Sequence, residues 1–494
     1  MRQGRSRIFQ AFAVRLDVVF GRKLYEKIMN LPLLILQSRP TGYWHLLFRD
    51  LEIVRNALSG SSAALAIDIP FAIIFFLVVF AIAPAIAWVL LLVLPVFILL
   101  AWRSGVSMGT AATREHQSII LRDDFMNELL SAREIVKSSA LQNALKPVWE
   151  AYHSRSIAHS RDRGQVTDTH QTLAYLMLIS TTVALTAIGA IAILDQKMTI
   201  GSLIAANMLS ARMIMPIVQL VSQWRSLSQI HHSAKRLNSV FKLESDRLKN
   251  PVELKRPTGK LKFEKVNFAY RTELADVVNG IEGVIGPKGL HALVGCNGSG
   301  KSTFLKIIRG LYPPNQGRIL IDGADISQFP QNVLADWIGY LPQETTLFSG
   351  SIRDNIVISR PEVADSILLK AAKIAEAHDF ILDMPDGYAT ALAEGGKNLS
   401  KGQRQRVALA SILLNDPPII LLDEPTSNLD EEAEEKLAVA LKKLSETSTL
   451  VAVTHSSAVL SVCDSILVME KGRIVLAGPA KQVRDRLAGQ KKSV

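Results

Sequence analysis

Two kinds of hydrophobic pattern divide the chain. Across residues 61–102 nearly every position is apolar, and Asp68 is the one charge. A bilayer-spanning helix needs about 20 apolar residues. This stretch therefore predicts two spans, at about 62–82 and 86–103, joined by a turn at Ala83-Pro84-Ala85. Residues 172–194 predict a third span. Asp195-Gln196-Lys197 reads as a short polar turn, and residues 199–219 predict a fourth span. Residues 104–170 differ: Ile119, Leu121, Phe125 and Leu129 recur at helical spacing among Glu115, Asp123, Asp124, Glu128 and Glu134. That spacing predicts long amphipathic helices projecting from the membrane. After residue 260 the apolar runs shorten to strand length, at 261–269, 291–294, 338–341, 419–422 and 451–454, with helical stretches between them. Such alternation predicts an α/β domain. The expected organisation is an α-helical transmembrane domain at 1–243, a linker at 244–260 holding Pro251, Pro257 and Gly259, and a nucleotide-binding domain at 261–494.

Charge orients this arrangement. The 494 residues carry a net charge of +11. Arg2, Arg5, Arg7, Arg15, Arg22, Lys23 and Lys27 precede the first span, and Arg103, Arg114, Arg122, Arg133, Arg155, Arg161 and Arg163 lie between the second and third. The two short turns hold only Lys197. Long basic segments belong on the cytoplasmic side, which places the turns outside and returns the C-terminal half to the cytoplasm. The basic residues show no interleaving with aromatics, so nucleic acid is not an expected partner. Residues 1–20 are basic and amphipathic without the clean apolar core of a signal peptide. Cys296 and Cys463 both fall in the cytoplasmic half and read as free thiols. Asp68, just before Pro70, reads as an interfacial residue or a cavity-lining carboxylate. Arg212 lies well inside the fourth span, where a charge must face protein or water.

The candidate chemistry begins at Gly295-Cys296-Asn297-Gly298-Ser299-Gly300-Lys301-Ser302-Thr303. The run follows a short apolar strand and opens a helix at 301–312, the context of a phosphate-binding loop. Its glycines let backbone N–H groups surround a β-phosphate, and the helix N-terminus adds positive potential. Lys301 is placed to reach the β- and γ-phosphates, and Ser302 to offer its hydroxyl to Mg²⁺. The ligand is ATP or GTP. Downstream, the buried strand at 419–424 ends in Asp423 and Glu424. Asp423 suits Mg²⁺ through water, and Glu424 suits removal of the attacking water's proton. His455 ends the strand at 451–454, where doubly wound sheets place ligands; it is expected to bond the γ-phosphate or Glu424. Gln343, after the strand at 338–341, is expected to sense Mg²⁺ or the water. Tyr270, ending the strand at 261–269, is the candidate adenine stacker.

At Asn398-Leu399-Ser400-Lys401-Gly402-Gln403-Arg404-Gln405-Arg406 the sequence resembles the signature of ABC transporter ATPases. Tyr270, Gly295 to Thr303, Gln343, Leu399 to Gln403, Asp423-Glu424, Ser427-Asn428-Leu429-Asp430 and His455 follow in the family's order. Lys401 and Asn428 stand where the family usually has glycine and alanine. The resemblance implies ATP and Mg²⁺ as ligands and a head-to-tail homodimer. In that dimer ATP lies between one chain's phosphate loop and the other's Leu399, Ser400, Gly402 and Gln403, with Asp430 in the loop beside them. Opening and closing of the dimer would drive the membrane helices.

Fusion of membrane and ATPase parts, with Ala393-Glu394-Gly395-Gly396 before the signature, resembles the exporter branch. Phe48-Arg49-Asp50-Leu51-Glu52-Ile53-Val54-Arg55, Asp68-Ile69-Pro70-Phe71 and Ile200-Gly201-Ser202-Leu203-Ile204-Ala205 resemble the membrane domain of type I secretion ATPases. That family exports proteins from the bacterial inner membrane with a periplasmic adaptor and an outer-membrane channel. The other cargo readings are a lipid, a glycan or a small molecule. The family has six spans and this sequence supplies four, so the first two helices are expected to be missing, or the chain to be an ATPase subunit that does not transport alone. Thr41-Gly42-Tyr43 is expected to interrupt a helix and make a small cytosolic contact.

Overall fold

Proline or a capping residue marks the helix starts at Pro84 and Ile200 and the break between Met29 and Thr41. In the computed structural model, which describes residues 2–59, 61–245, 255–271 and 273–491, the helices are α1 (Arg2–Met29), α2 (Leu33–Gln37), α3 (Thr41–Ser59), α4 (Ser61–Ile82), α5 (Pro84–Ser131), α6 (Arg133–Ser138), α7 (Gln142–Leu194) and α8 (Ile200–Phe241). The turn expected at Ala83-Pro84-Ala85 is present, with Pro84 at the first position of α5, where its missing N–H costs nothing. Thr199 and Ser202 cap α8 reciprocally, side chain to backbone N–H, the arrangement that satisfies two orphan donors at once. The interruption expected at Thr41-Gly42-Tyr43 lies slightly upstream. Those residues form the first turn of α3, and the break falls between Met29 and Thr41, where Pro32 and Pro40 bracket α2. A proline cannot donate into a continuing helix and disfavours helical geometry in the residue before it.

Among the described residues three helical stretches are long and apolar enough to cross a membrane, within α5, within α7 and at Ile200–Val221; Asp68–Ile82 is a shorter apolar helix. The 48 residues of α5 and 53 of α7 extend roughly 70–80 Å at about 1.5 Å per residue. A hydrocarbon core is about 30 Å thick, so both helices run far beyond it, as their polar halves require. Val79, Ile86, Leu90, Phe97, Leu185 and Met213 form the apolar core of the bundle. Asp68 is half-buried in α4, and Arg212 is exposed on α8.

Two buried ion pairs tie the polar ends of these helices. Arg236 on α8 grips Asp50 on α3, with Nη2 2.6 Å from Oδ1 and Nε 2.7 Å from Oδ2. The Ser233 hydroxyl donates to the same carboxylate at 2.8 Å. Arg163 on α7 pairs with Glu115 on α5 at 2.6 Å.

The chain divides into two units, and the second comprises Asn30–Gln37 and Ser245–Val494. The linker expected at 244–260 falls partly at 246–254, outside the described residues. The second unit holds β1 (Leu261–Phe268), β2 (Val278–Ile285), β3 (Gly289–Val294), β4 (Gln316–Ile321), β5 (Ala324–Asp325), β6 (Ile338–Leu341), β7 (Gly350–Ser351), β8 (Ala391–Leu392), β9 (Ile419–Asp423), β10 (Thr449–Val453), β11 (Ser465–Glu470) and β12 (Arg473–Pro479). Its main sheet runs β12-β11-β3-β10-β9-β6. The neighbours from β11 to β6 pair in parallel, and β12 closes the edge antiparallel. Strands buried on both faces read as continuous apolar runs, which is why Ile419–Asp423 and Thr449–Val453 lack alternation.

Helix α9 (Lys301–Ile308) packs on this sheet. Helices α10 (Gln331–Trp337), α11 (Ile352–Ile356), α12 (Asp365–Ile374) and α13 (His378–Leu382) lead to α14 (Lys401–Leu413), and α15 (Glu431–Leu444), α16 (Ser457–Val462) and α17 (Ala480–Lys491) complete the unit. Helix α2 belongs here too: Leu33 and Leu34 pack against the cluster of Phe304, Ile307 and Tyr312, and the Tyr312 hydroxyl donates to Gln37 Oε1 at 2.7 Å.

Candidate functional site

The parallel strands β3, β9 and β10 end side by side, and the loops leaving them carry the predicted chemistry. The loop after β3 folds back beneath the β11–β12 turn. A Cβ on Gly295 would lie 2.1 Å from the Met469 carbonyl oxygen, and one on Gly300 would lie 2.6 Å from that of Val277. Gly300 also has φ +100° at the N-cap of α9, a left-handed conformation glycine adopts without strain. Only glycine fits these two positions, whereas Gly298 faces open space. The Ser299 carbonyl accepts from Gly472 N–H at 3.0 Å, and the buried Ser299 hydroxyl has no partner among the described residues. Lys301 is largely buried, its ammonium donating to the carbonyls of Gly295 at 2.8 Å and Cys296 at 3.0 Å. Asn297 and the exposed Cys296 complete the rim.

Ser302 follows on the first turn of α9, and its hydroxyl donates to Asp423 Oδ1 at 3.2 Å. Asp423 is 2% exposed. Burial pushes its carboxyl above the ordinary carboxylate range, the Ser302 hydroxyl opposes this, and neighbouring Glu424 reinforces it. A buried carboxylate with one hydroxyl partner is under-compensated. The hydroxyl–carboxylate pair is a donor set suited to a hard, oxygen-seeking divalent cation.

Glu424 sits at φ +53°, a sparsely populated region for a residue with a Cβ. Such strain persists only where the surroundings over-determine it, and here they do. Glu424 N–H donates to Val453 O at 2.9 Å, and its carbonyl accepts from Gln405 Nε2 at 2.8 Å. The side chain is thereby aimed off the strand, and Gln343 Nε2 donates to its Oε2 at 3.1 Å. Gln343 therefore meets the Glu424 carboxylate directly. His455 lies exposed beyond β10, and among the described residues it makes no hydrogen bond to Glu424.

Tyr270 lies just past β1, and its hydroxyl is 2.9 Å from Thr303 Oγ1. The ring packs edge-on against Phe268 and Tyr312 and stays 43% exposed, leaving apolar surface beside the phosphate loop.

The signature segment forms the start of α14. Ser400 is its N-cap and forms a capping box with Gln403: Ser400 Oγ accepts from Gln403 N–H at 3.1 Å, and Ser400 N–H donates to Gln403 Oε1 at 2.9 Å. Leu399 is buried before it. Gly402 packs tightly, since a Cβ there would lie 2.6 Å from the Asn428 carbonyl oxygen. Asp430 caps α15, accepting from Ala433 N–H at 2.9 Å. The structure joins Lys301, Ser302, Gln343, Asp423 and Glu424 in one cluster. Among the described residues no hydrogen bond joins the signature segment to the phosphate loop.

Sequence reasoning missed Gln405, which is 3% exposed and connects α14 to the strained turn at Glu424. A glutamine near the end of the signature run, on a helix face otherwise apolar at Leu409 and Leu413, was the available signal. It also missed Tyr340 on β6, whose buried hydroxyl has no partner among the described residues. Burial and the nearby Asp423 charge push that phenol well above its usual range.

Comparison with known proteins places these features in a family. The ABC transporter transmembrane region matches residues 3–217, and the ABC transporter family matches residues 278–427. The chain is 32% identical over 486 residues to the cyclolysin secretion/processing ATP-binding protein CyaB of Bordetella pertussis, covering 96% of this chain and 67% of that one. It is 31% identical over 476 residues to the leukotoxin translocation ATP-binding protein LktB of Mannheimia glucosida, with the same coverage. In fold it is similar to a bacterial Atm1-family ABC exporter with ATP bound, at a TM-score of 0.88 and 22% identity, covering 97% of this chain and 85% of that chain. The chain belongs to the ABC transporters, with a multi-pass transmembrane region and an ATPase domain on one polypeptide.

Proposed function

We propose that the chain is an ATP-driven exporter of protein cargo in the bacterial inner membrane, with its ATPase domain in the cytoplasm. One observation carries the coupling. The residues suited to ATP chemistry lie in the same unit as Asn30–Gln37, the segment that links α1 to α3. A rearrangement around bound nucleotide is felt by Leu33, Leu34 and Gln37 through Tyr312 and Phe304, and so by the helices on either side. The relatives' roles in cyclolysin secretion and leukotoxin translocation support a protein as cargo. A periplasmic adaptor and an outer-membrane channel are the partners that the resemblance to type I secretion ATPases implies.

In this reading Gly295 to Thr303 enclose the phosphates of ATP, and Lys301 turns from the Gly295 and Cys296 carbonyls to the β- and γ-oxygens. Ser302 and Asp423 would hold Mg²⁺, which when bound would supply positive charge beside the phosphates. Gln343 orients a water against the γ-phosphorus, and Glu424 takes its proton as the bond to the β-bridging oxygen breaks. His455, exposed at the strand end, contacts the γ-phosphate, and Tyr270 offers its ring to adenine. A second copy of the chain supplies Leu399, Ser400, Gly402 and Gln403 across the nucleotide; because Gly402 is covered by Asn428, it contributes its backbone N–H. Asp430 shapes the loop beside it.

The test compares proteins in the medium of cells expressing wild-type chain or Glu424→Gln. The reading expects one or a few proteins to disappear from the medium and accumulate inside the variant cells. Identical secreted sets, with equal membrane levels of both chains, would contradict it.

A further inference from the structure

A cavity of about 400 Å³ opens between the polar ends of α3, α5 and α8, within the first unit and apart from the nucleotide residues. Its wall repeats at helical spacing: Asp50 and Ile53 on α3, Glu115 and Ile119 on α5, Ser233 and Arg236 on α8. Small-molecule sites are concave, mostly apolar and fitted with a few convergent polar groups. Here Leu46, Ile53 and Ile119 supply the apolar surface, while Arg49, His116 and His232 line it with nitrogen.

The charges decide what such a space accepts. Its two acids are already engaged, Asp50 by Arg236 and Glu115 by Arg163, so neither is available to a cation. Arg49 is in no ion pair among the described residues. His116 Nε2 lies 3.3 Å from Arg236 Nη1. The guanidinium can only donate, so Nε2 accepts and the ring's proton sits on Nδ1. Burial first, and then Arg236, lower the pKa of His116, which keeps it neutral and a donor. His232 adds a second imidazole. The balance is one unpaired guanidinium with imidazole donors beside an apolar wall, which matches a singly charged anion on an apolar body better than a dianionic phosphate.

We infer that this cavity binds a small organic monocarboxylate, with Arg49 and His232 holding the carboxylate and Leu46, Ile53 and Ile119 covering the apolar part. A planar guanidinium suits the two oxygens of a carboxylate. Because the cavity joins three helices of the bundle, its occupant stabilises their arrangement.

The probe is 2-naphthoate, with the uncharged 2-naphthalenemethanol as its match. Binding is read by equilibrium dialysis of the full chain in phosphatidylcholine nanodiscs against empty discs. The expected result is saturable binding of one naphthoate per chain, weakened at least tenfold by Arg49→Gln and also weakened by His232→Gln, with no saturable binding of the alcohol. Both side chains are exposed and outside the ATP site, so unchanged ATP turnover shows that the variants are folded. Equal naphthoate binding by wild type and Arg49→Gln, equal binding of the alcohol, or no excess over empty discs would each overturn the site. Adding phosphatidylserine identifies the natural source: displacement of naphthoate assigns a lipid carboxylate and its persistence a soluble one, each supporting the site. The readout is binding alone, so failure of the export reading leaves this result standing.

Discussion

Asp50 and Asp423 are both buried aspartates, at 0% and 2% exposure, and their surroundings could hardly differ more. Asp50 receives two bonds from Arg236 and one from Ser233. Its charge is balanced from within the chain, and it ties α3 to α8. Asp423 receives one hydroxyl bond, from Ser302, has Glu424 beside it, and is pushed up in pKa by burial. A carboxylate satisfied by its own chain serves the fold, whereas one left short of positive charge beside a phosphate loop is prepared for a cation from outside. The membrane unit and the ATPase unit thus use the same side chain in opposite ways.

The most severe way to sharpen that contrast is Glu424→Gln. It keeps the bond acceptor facing Gln343 but cannot take a proton, so ATP turnover should fall by roughly 10²–10⁴, the range general-base catalysis contributes. ATP binding should be retained. Turnover within a few-fold of wild type in purified protein would remove Glu424 from the chemistry. Next in size is Asp50→Asn, which strands the Arg236 guanidinium. Removing one partner of a buried pair costs about 3 kcal/mol or more, read as lower thermal stability of the full chain, while nucleotide affinity should not change. Replacing both Asp50 and Arg236 by leucine should recover much of the loss. If it does not, the pair is more than mutual compensation. Gln405→Ala is the mildest change. It removes one bond to the Glu424 carbonyl, worth about 1 kcal/mol, and should lower turnover several-fold without changing ATP affinity. No change in turnover would show that Val453 alone holds the turn.

The contrast also explains how much could be read from the sequence. The ATPase apparatus was legible because phosphate chemistry demands fixed residue types in short runs: the glycines of 295–300, Lys301, Ser302, and the Asp423-Glu424 pair ending a fully apolar strand. Long apolar runs gave the three helical stretches long enough to cross a membrane among the described residues, and Pro84 and Thr199 marked where helices begin. The Asp50–Arg236 clamp was illegible because its partners stand far apart in sequence and each looks like an ordinary charge on an amphipathic helix. Gln405 was hidden for the same reason, since its importance lies in the Glu424 carbonyl it bonds, 19 residues away. The placement of Asn30–Gln37 with the ATPase unit depends on a tertiary contact, Tyr312 to Gln37, which local pattern does not encode.

A raised carboxyl pKa has a defined sign in stability. Between the ordinary carboxylate pKa and the raised folded value, folded Asp423 keeps a proton that the unfolded chain releases. Metal-free stability therefore falls as pH rises through that window, and Asp423→Asn should flatten this dependence. The most direct test of the central claim is the thermal stability of wild type and Asp423→Asn at neutral pH, with a non-hydrolysable ATP analogue, in the absence and presence of Mg²⁺. Ligands that bind only the folded state raise the melting temperature. The account predicts a clear Mg²⁺-dependent increase for wild type and little or none for Asp423→Asn. An equal Mg²⁺ increment in both proteins would contradict it.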